Sequence, residues 1–367
     1  MAGIYIHIPF CFSRCGYCDF YKITDLHLIE KYIQSLQNEI TFRSESFRFP
    51  VSTVYFGGGT PSLLKPHQLE KIMLSVFNSF DVAADTEITC ECNPDDLSFD
   101  YLKNICESGI NRLSIGVQSL QDYDLQTMCR RHHSAQAIKA VEQSAKAGFR
   151  NIGVDLIYGL PWSNRTLFAE NLKLFASLPV QHLSAYHLTI EEGTPFFQRN
   201  MKNVDNDESL AQYLLLCETL NRKGMEHYEI SNFCMPDFYS RHNSSYWNDS
   251  PYLGLGAGAH SYYDGKRYWN QQNVELYCSN QFDSVREDEI LSKTDLFNEQ
   301  IMLGLRTKRG VDLAKIQADF TCFIAEFNVQ AKKWQERGAL YIENNHLICN
   351  EEKWFIVDRV IEDFIIV

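Results

Sequence analysis

Up to Ile190 the chain carries six short apolar runs, each closed by turn-forming residues and followed by a stretch with helical spacing. The runs are GIYIHI from Gly3, STVYFGG from Ser52, TEITCEC from Thr86, RLSIGVQ from Arg112, NIGVDLIYG from Asn151 and HLSAYHLTI from His182. Between the first two, DLHLIEKYIQSLQNEI sets Leu28, Ile29, Tyr32, Ile33, Leu36 and Ile40 on one helical face. SLLKPHQLEKIMLSVFNSF and SAQAIKAVEQSAKAG repeat that spacing. Strand and helix in alternation predict right-handed βαβ units and a parallel sheet. Six units fall short of the eight of a closed barrel, so the expected fold class is α/β, a partial (βα)6 TIM-like barrel.

The texture changes at about Thr294. Three helical patterns, a hairpin ALYIENNHLIC turning at Asn344 and Asn345, and a last helix from Trp354 predict a small helical, winged-helix-like domain over 294–367. Residues 1–234 would form the barrel core. Residues 235–293, rich in Asn, Tyr, Gly and Ser, read as a connecting region. No internal repeat or low-complexity segment interrupts this order.

Ligand sites in such barrels gather at the C-terminal ends of the strands. The unusual polar residues collect there. A cysteine-rich loop follows the first run, Gly57 to Pro61 (GGGTP) end the second, Glu91 and Asn93 the third and Gln118 the fourth, while Asp155 lies in the fifth and SAYHL makes the sixth. Within the first run, alternation puts Tyr5 and His7 on the lumen face and Ile4, Ile6 and Ile8 on the other.

Charge narrows the functions. A net charge of −13 opposes the phosphate backbone, so nucleic acid is not an expected partner. The winged-helix-like segment agrees: residues 295–367 hold nine Lys or Arg against twelve Asp or Glu, which suits a lid or interaction domain. No run of about 18 apolar residues could span a membrane. The start MAGIYIHIPF has neither a basic n-region nor a small-residue cleavage site, and a cytoplasmic location is expected. Twelve cysteines in that setting are expected to be reduced; Cys106, Cys217, Cys278, Cys322 and Cys349 stand singly and read as packing residues.

Cys11, Cys15 and Cys18 do not stand singly. Three thiolates on one loop, CxxxCxxC, can hold three irons of a [4Fe–4S] cluster and leave the fourth open, with Gly16 permitting a tight backbone. A zinc knuckle is the alternative, but structural zinc usually takes four ligands and no second pair lies near in sequence. The GLGAGA stretch from Gly254 spoils the GxGxxG spacing and is discounted as a dinucleotide site.

CxxxCxxC after a first strand, a GGGTP strand end and six βα units together resemble the radical S-adenosylmethionine (SAM) superfamily. YIHIPFC, CGYCDF, YFGGGTPS, ECNPD, SIGVQS, GVDLIYGLP, RHNSSYW and GLGAGAHS further resemble the oxygen-independent coproporphyrinogen III oxidase family and, within it, the haem chaperone branch called HemW. The resemblance covers nearly the whole chain. It implies a [4Fe–4S] cluster on Cys11, Cys15 and Cys18 and SAM on its open iron. It places Gly58, Gly59 and Thr60 at the methionyl amino end, Glu91 on a cationic or hydroxyl part of SAM, and Gln118, Arg130 and Asp155 at its carboxylate and ribose. Tyr5 and Tyr17 would pack beside cluster and adenine, and Ala185 and Ala259 would supply backbone or wall.

Two features separate carrier from oxidase. Phe20 stands where the decarboxylating oxidases of the resembled family carry a fourth cysteine, and the chain begins almost at the cluster motif. The HNxxYW motif, His242, Asn243, Ser244, Ser245, Tyr246 and Trp247, marks the haem chaperone branch and implies a haem site: imidazole can ligate iron, and Tyr and Trp rings can stack on a macrocycle. His132, His133, His187 and His260 compete for the ligand role. The expectation is a protein that binds cluster, SAM and haem and delivers haem to acceptor proteins, including by peripheral contact with membrane-bound ones. If it is instead an enzyme, coproporphyrinogen III is the implied substrate; a zinc-bound interaction scaffold is the third reading.

Overall fold

The computed structural model describes residues 1–367. The six apolar runs form six parallel strands in sequence order: β1 (Ala2–Ile8), β2 (Val51–Gly58), β3 (Val82–Cys92), β4 (Arg112–Gln118), β5 (Asn151–Tyr158) and β6 (His182–His187). Their outward residues meet the intervening helices. In helix Ile29–Ser44 the predicted face is the buried one, with Tyr32, Ile33, Leu36 and Ile40 all inside. Helix Arg165–Ser177 starts at Asn164, whose side chain accepts from the Thr166 and Leu167 N–H groups.

The sheet does not end with β6. An antiparallel pair, β7 (Glu226–Glu229) and β8 (Asn232–Cys234), joins it through β8. On the other side, the segment expected as a connector supplies four strands: β9 (Tyr252–Leu255) runs parallel to β1, and β10 (His260–Tyr263), β11 (Lys266–Asn270) and β12 (Arg286–Ile290) follow antiparallel. The result is one open twelve-stranded sheet whose two edges, β12 and β7, do not meet.

A buried carboxylate ties this added part to the barrel. Glu39, 1% exposed in helix Ile29–Ser44, accepts from the Gly256 N–H (2.8 Å), the Asn270 amide (2.8 Å) and the Tyr277 hydroxyl (2.6 Å). Arg43 approaches the same carboxylate at 3.7 Å. Two turns earlier, the Tyr32 hydroxyl donates to the His7 carbonyl and accepts from the Ala257 N–H. Loop Gly256–Gly258 is thereby sewn beneath the end of β1.

The C-terminal region contains helix Lys293–Leu305, β13 (Val311–Asp312), helices Leu313–Asp319 and Ile324–Glu336, the hairpin β14 (Leu340–Glu343) with β15 (His346–Cys349), and a final helix Val357–Glu362. Asn344 and Asn345 both take positive φ, 47° and 62°, as a two-residue hairpin turn requires. Trp354 lies inside a 3-10 segment, Glu351–Ile356, and the α-helix starts three residues after it, at Val357. This region shares the barrel's core: Trp354 packs edge-on against His227 of β7. Cys106, Cys217, Cys278 and Cys349 lie at least partly within packed surroundings, but Cys322 is exposed on the surface and fills no core gap.

Glu39→Ala would leave three buried donors unpartnered and is expected to cost about 3–5 kcal/mol of unfolding free energy. Lys103→Ala, which breaks only the surface pair with Glu107, should cost under about 1 kcal/mol. Urea denaturation of both variants checks the contrast.

Candidate functional site

The loop after β1 is closed at its base by backbone bonds between Cys11 N–H and Ile23 carbonyl (3.0 Å) and between Ile23 N–H and Pro9 carbonyl (2.7 Å). Its crest is pinned at Gly16, whose N–H reaches the Met128 carbonyl and whose carbonyl receives the Phe196 N–H. A Cβ on Gly16 would lie 2.3 Å from the Phe196 ring, which explains the glycine between Cys15 and Cys18. Lys22 is buried and donates to the Cys18 and Phe20 carbonyls, which holds the last cysteine's backbone in place.

The three thiols face a cavity of about 450 Å³ at the C-terminal strand ends, within the usual size of a small-molecule site. Cys11, Cys15, Cys18 and Tyr17 form one wall, and Gly58, Gly59, Thr60, Glu91, Gln118, Arg130 and Asp155 form the others. Phe20 sits at the mouth, 69% exposed. Thr60 Oγ1 lies 3.3 Å from Cys11 Sγ, while Arg130 donates to Cys15 Sγ (3.3 Å), to the Gly116 carbonyl (2.6 Å) and to Asn93 Oδ1. Arg130 Nε is buried and has no hydrogen-bond partner within the chain. No three His, Cys, Asp or Glu side chains are grouped to hold a single metal ion.

Glu91 organises the floor of the cavity. Its Oε1 accepts from the Tyr55 hydroxyl (2.8 Å) and its Oε2 from the Gly58 N–H (3.0 Å). Burial pushes its carboxyl up to about 7, against the pull of those two bonds and with the neighbouring Asp155 adding to the rise. Burial likewise raises Asp155 to about 6, opposed by Ser114, whose hydroxyl donates to it, and by Arg112. Gln118 ends β4 with φ 66°, a left-handed kink. Gly58 has φ 109°, and a Cβ there would meet the His7 ring at 2.5 Å; on Gly59 it would meet the Phe10 carbonyl at 2.7 Å.

Seven expected site residues lie elsewhere. Ala185 and Ala259 are buried outside the cavity wall; on β6 it is Tyr186 that lines it. Tyr186 escaped the sequence reading, although strict alternation with Ser184 could have found it. Tyr5 stands below the cavity, its hydroxyl 3.0 Å from His7 Nδ1 and its ring stacked on Tyr55.

The other four are His242, Asn243, Tyr246 and Trp247, none of which lines the cavity. Helix Arg241–Tyr246 plugs the opposite, N-terminal end of the barrel, with the backbone N–H groups of Arg241 and His242 bound to the Glu87 carboxylate of β3. His242 is 1% exposed, and both ring nitrogens are engaged: Nδ1 with Thr53 Oγ1 and Nε2 with the Tyr246 hydroxyl, each at 2.8 Å. Burial lowers its pKa to about 3, so the ring is neutral. Asn243, Tyr246 and Trp247 are half-buried around it.

Comparison with known proteins accords with this geometry. The profile of the radical SAM superfamily matches residues 5–167, and that of the HemN C-terminal domain matches residues 291–356. The solved Escherichia coli coproporphyrinogen III oxidase HemN, described as a radical SAM enzyme, shares the fold with a TM-score of 0.86 at 24% identity, covering 99% of this chain and 90% of that one. The chain is therefore a radical SAM protein with a HemN-type C-terminal region, and membership of that superfamily implies a [4Fe–4S] cluster and SAM. The curated relative "Heme chaperone HemW" of Lactococcus lactis is 35% identical over 99% of this chain and 97% of its own length, and its Synechocystis counterpart is 38% identical over 95% and 89%. Bos taurus "Radical S-adenosyl methionine domain-containing protein 1, mitochondrial" is 28% identical over 98% and 86%. The chain belongs to the HemW family.

Because the folded state holds Glu91 protonated up to about pH 7 while an unfolded carboxyl ionises near 4.5, the native state binds the extra proton and stability falls as pH rises between those values. Glu91→Gln mimics the protonated form. Without ligand, it is expected to raise the urea midpoint over the native protein at pH 8 and to leave the two equal near pH 4.5.

Proposed function

We propose that this protein binds a [4Fe–4S] cluster through Cys11, Cys15 and Cys18, binds SAM in the adjoining cavity, and carries haem to acceptor proteins. The observation that carries the cofactor part is the cavity, in which three thiols on one loop face a glycine strand end, a half-buried arginine whose Nε has no partner and two half-buried carboxylates. When bound, the cluster supplies one-electron reduction of the SAM sulfonium.

The residues of this chain then position. Arg130 couples the two cofactors, because it donates to Cys15 Sγ and keeps Nε free for a carboxylate. Glu91, fixed by Tyr55 and Gly58, presents a carboxylate to the methionyl ammonium, a charge that favours its ionised form. Gly59 and Thr60 bring backbone close to the same end, and Tyr17 packs beside the cluster, with Gln118 and Asp155 facing the ribose.

The haem part is supported by the relatives named heme chaperones and by Phe20, which fills the place of a fourth cysteine with an exposed aromatic ring at the cavity mouth. Of the four competing histidines, His260 alone is exposed with both ring nitrogens free of hydrogen bonds, and its ring stacks on Trp269 at 6.0 Å. His132 is buried and bonded to the Val117 carbonyl, His133 caps a helix through Nδ1, and His187 is held by Ser209. These contacts favour His260 as the axial ligand. All twelve cysteines are unpaired, which suits a reducing cytoplasm, and no helix is long and apolar enough to cross a membrane.

Alanine at Cys11, Cys15 or Cys18 is expected to leave soluble protein without the cluster's visible absorption, checked by iron and acid-labile sulfide analysis. An anaerobic haem titration of the cluster-loaded protein should show saturable, stoichiometric growth of the Soret band, weakened at least tenfold by His260→Ala. No saturable binding, together with carbon dioxide release from coproporphyrinogen III, would replace the carrier with the oxidase.

A further inference from the structure

The HNxxYW helix and the cavity lie at opposite ends of the barrel, yet the lumen between them is filled by one continuous column of rings. His242 stacks on Tyr55 with centroids 4.9 Å apart and planes inclined by 24°, and it lies 6.5 Å from Tyr5 in a similar attitude. Tyr55 and Tyr5 stack on each other at 6.1 Å. Each tyrosine then hands its hydroxyl upward. Tyr55 donates to Glu91 Oε1 at 2.8 Å, and Tyr5 meets His7 Nδ1 at 3.0 Å. The His7 ring fills the space against Gly58 where a Cβ would stand at 2.5 Å, its Nε2 meets the Tyr21 carbonyl at 3.3 Å, and Gly58 N–H closes the path on Glu91 Oε2.

We propose that His242 is a positioning residue for the SAM cavity: held by Thr53 and Tyr246, its ring supports Tyr55 and Tyr5, which in turn set Glu91 and, through His7, the Gly58 backbone. The motif is then a keystone at the base of the barrel. This inference rests on the reading that the cavity binds SAM.

The packing leaves little slack. His242 is flanked by Thr53 at the start of β2 and by Gly3 of β1, where a Cβ would come within 3.2 Å of the imidazole. Its backbone is anchored to Glu87 of β3, so the ring is located by the first three strands of the sheet. Removing the imidazole opens a void directly under Tyr55 and frees that ring to drop, which lengthens its bond to Glu91. The same loss changes the carboxyl's titration. Glu91 faces Tyr55 and Gly58 of β2, Tyr5 of β1, Arg112 of β4, Asp155 of β5 and Tyr186 of β6. Of these, the Tyr55 bond is the largest influence that favours the carboxylate, and weakening it moves ionisation to higher pH.

The test measures SAM affinity by anaerobic equilibrium dialysis across pH 6 to 9, on cluster-loaded native protein, His242→Ala and Tyr55→Phe, with iron and sulfide content and the haem titration run on each. Native protein should bind SAM. Both variants should keep full iron and sulfide and unchanged haem saturation, bind SAM at least tenfold more weakly at pH 7, and recover part of the loss at pH 9. Tyr55→Phe removes one hydroxyl only and keeps the question answerable if His242→Ala folds poorly. Unchanged SAM affinity and pH profile in the variants would overturn the inference while leaving the cavity reading intact. Loss of haem binding in His242→Ala with SAM affinity preserved would return the motif to haem ligation. Native protein that loads a cluster and fails to bind SAM would overturn both.

Discussion

Glu91 is a carboxylate in the interior of a parallel sheet, and burying it is costly unless its oxygens are met by donors. They are met by the Tyr55 hydroxyl and the Gly58 N–H, both from the neighbouring strand. Gly58 must therefore take a positive φ to aim its N–H inward, and glycine must stand there because the His7 ring occupies the space of a side chain. The kink delivers Thr60 to Cys11 Sγ. In this way one interaction inside the barrel registers the cysteine loop against the strand ends. Arg130 completes that registration from the far side by reaching Cys15 Sγ, Asn93 and the Gly116 carbonyl together.

The lumen below is unusual in being aromatic and polar rather than aliphatic. A barrel interior of branched aliphatic residues would be cheaper to bury. Here Tyr5, His7, Tyr55 and His242 hold one another by stacking and hydrogen bonds, and burial keeps both imidazoles neutral, with His7 lowered to about 4 and His242 to about 3. Such a column is stiff, because each ring is fixed both by a partner and by a neighbouring strand. It also explains why HNxxYW must be a helix at this place: the Glu87 carboxylate binds the N–H groups at its first turn, and only a helical turn brings the Tyr246 hydroxyl back to His242 Nε2 four residues away.

The open sheet gives the site its access. β9 to β12 and the β7–β8 pair extend the sheet on both sides without closing it, so the cavity mouth stays broad and exposes Phe20 and Tyr186. His260 and Trp269 lie paired on the β10–β11 extension. The Glu39 hub holds that extension against the first helix, so the face carrying these rings is rigidly related to the cysteine loop although no βαβ unit joins them.

The sequence by itself determined the six parallel strands, the buried face of the first long helix, the Asn344–Asn345 turn and the wall of three cysteines, glycines, Glu91, Arg130 and Asp155. Apart from Arg130, which only the family resemblance marked, these follow from local rules: period 2, period 3.6, positive-φ turn chemistry, and the tendency of strand ends to share one rim. Tertiary structure alone decided the rest. β9 to β12 are four or five residues long, and their partners are β1 and each other; pairing across some 250 residues leaves no periodic mark on so short a strand. The same holds for His242. Its residue type suits a metal ligand, and nothing local to RHNSSYW reveals that Thr53, Tyr55 and Glu87 wait for it across the barrel floor. A side chain's chemistry is set by which lone pairs remain unused after folding, and that count exists only once distant strands have met.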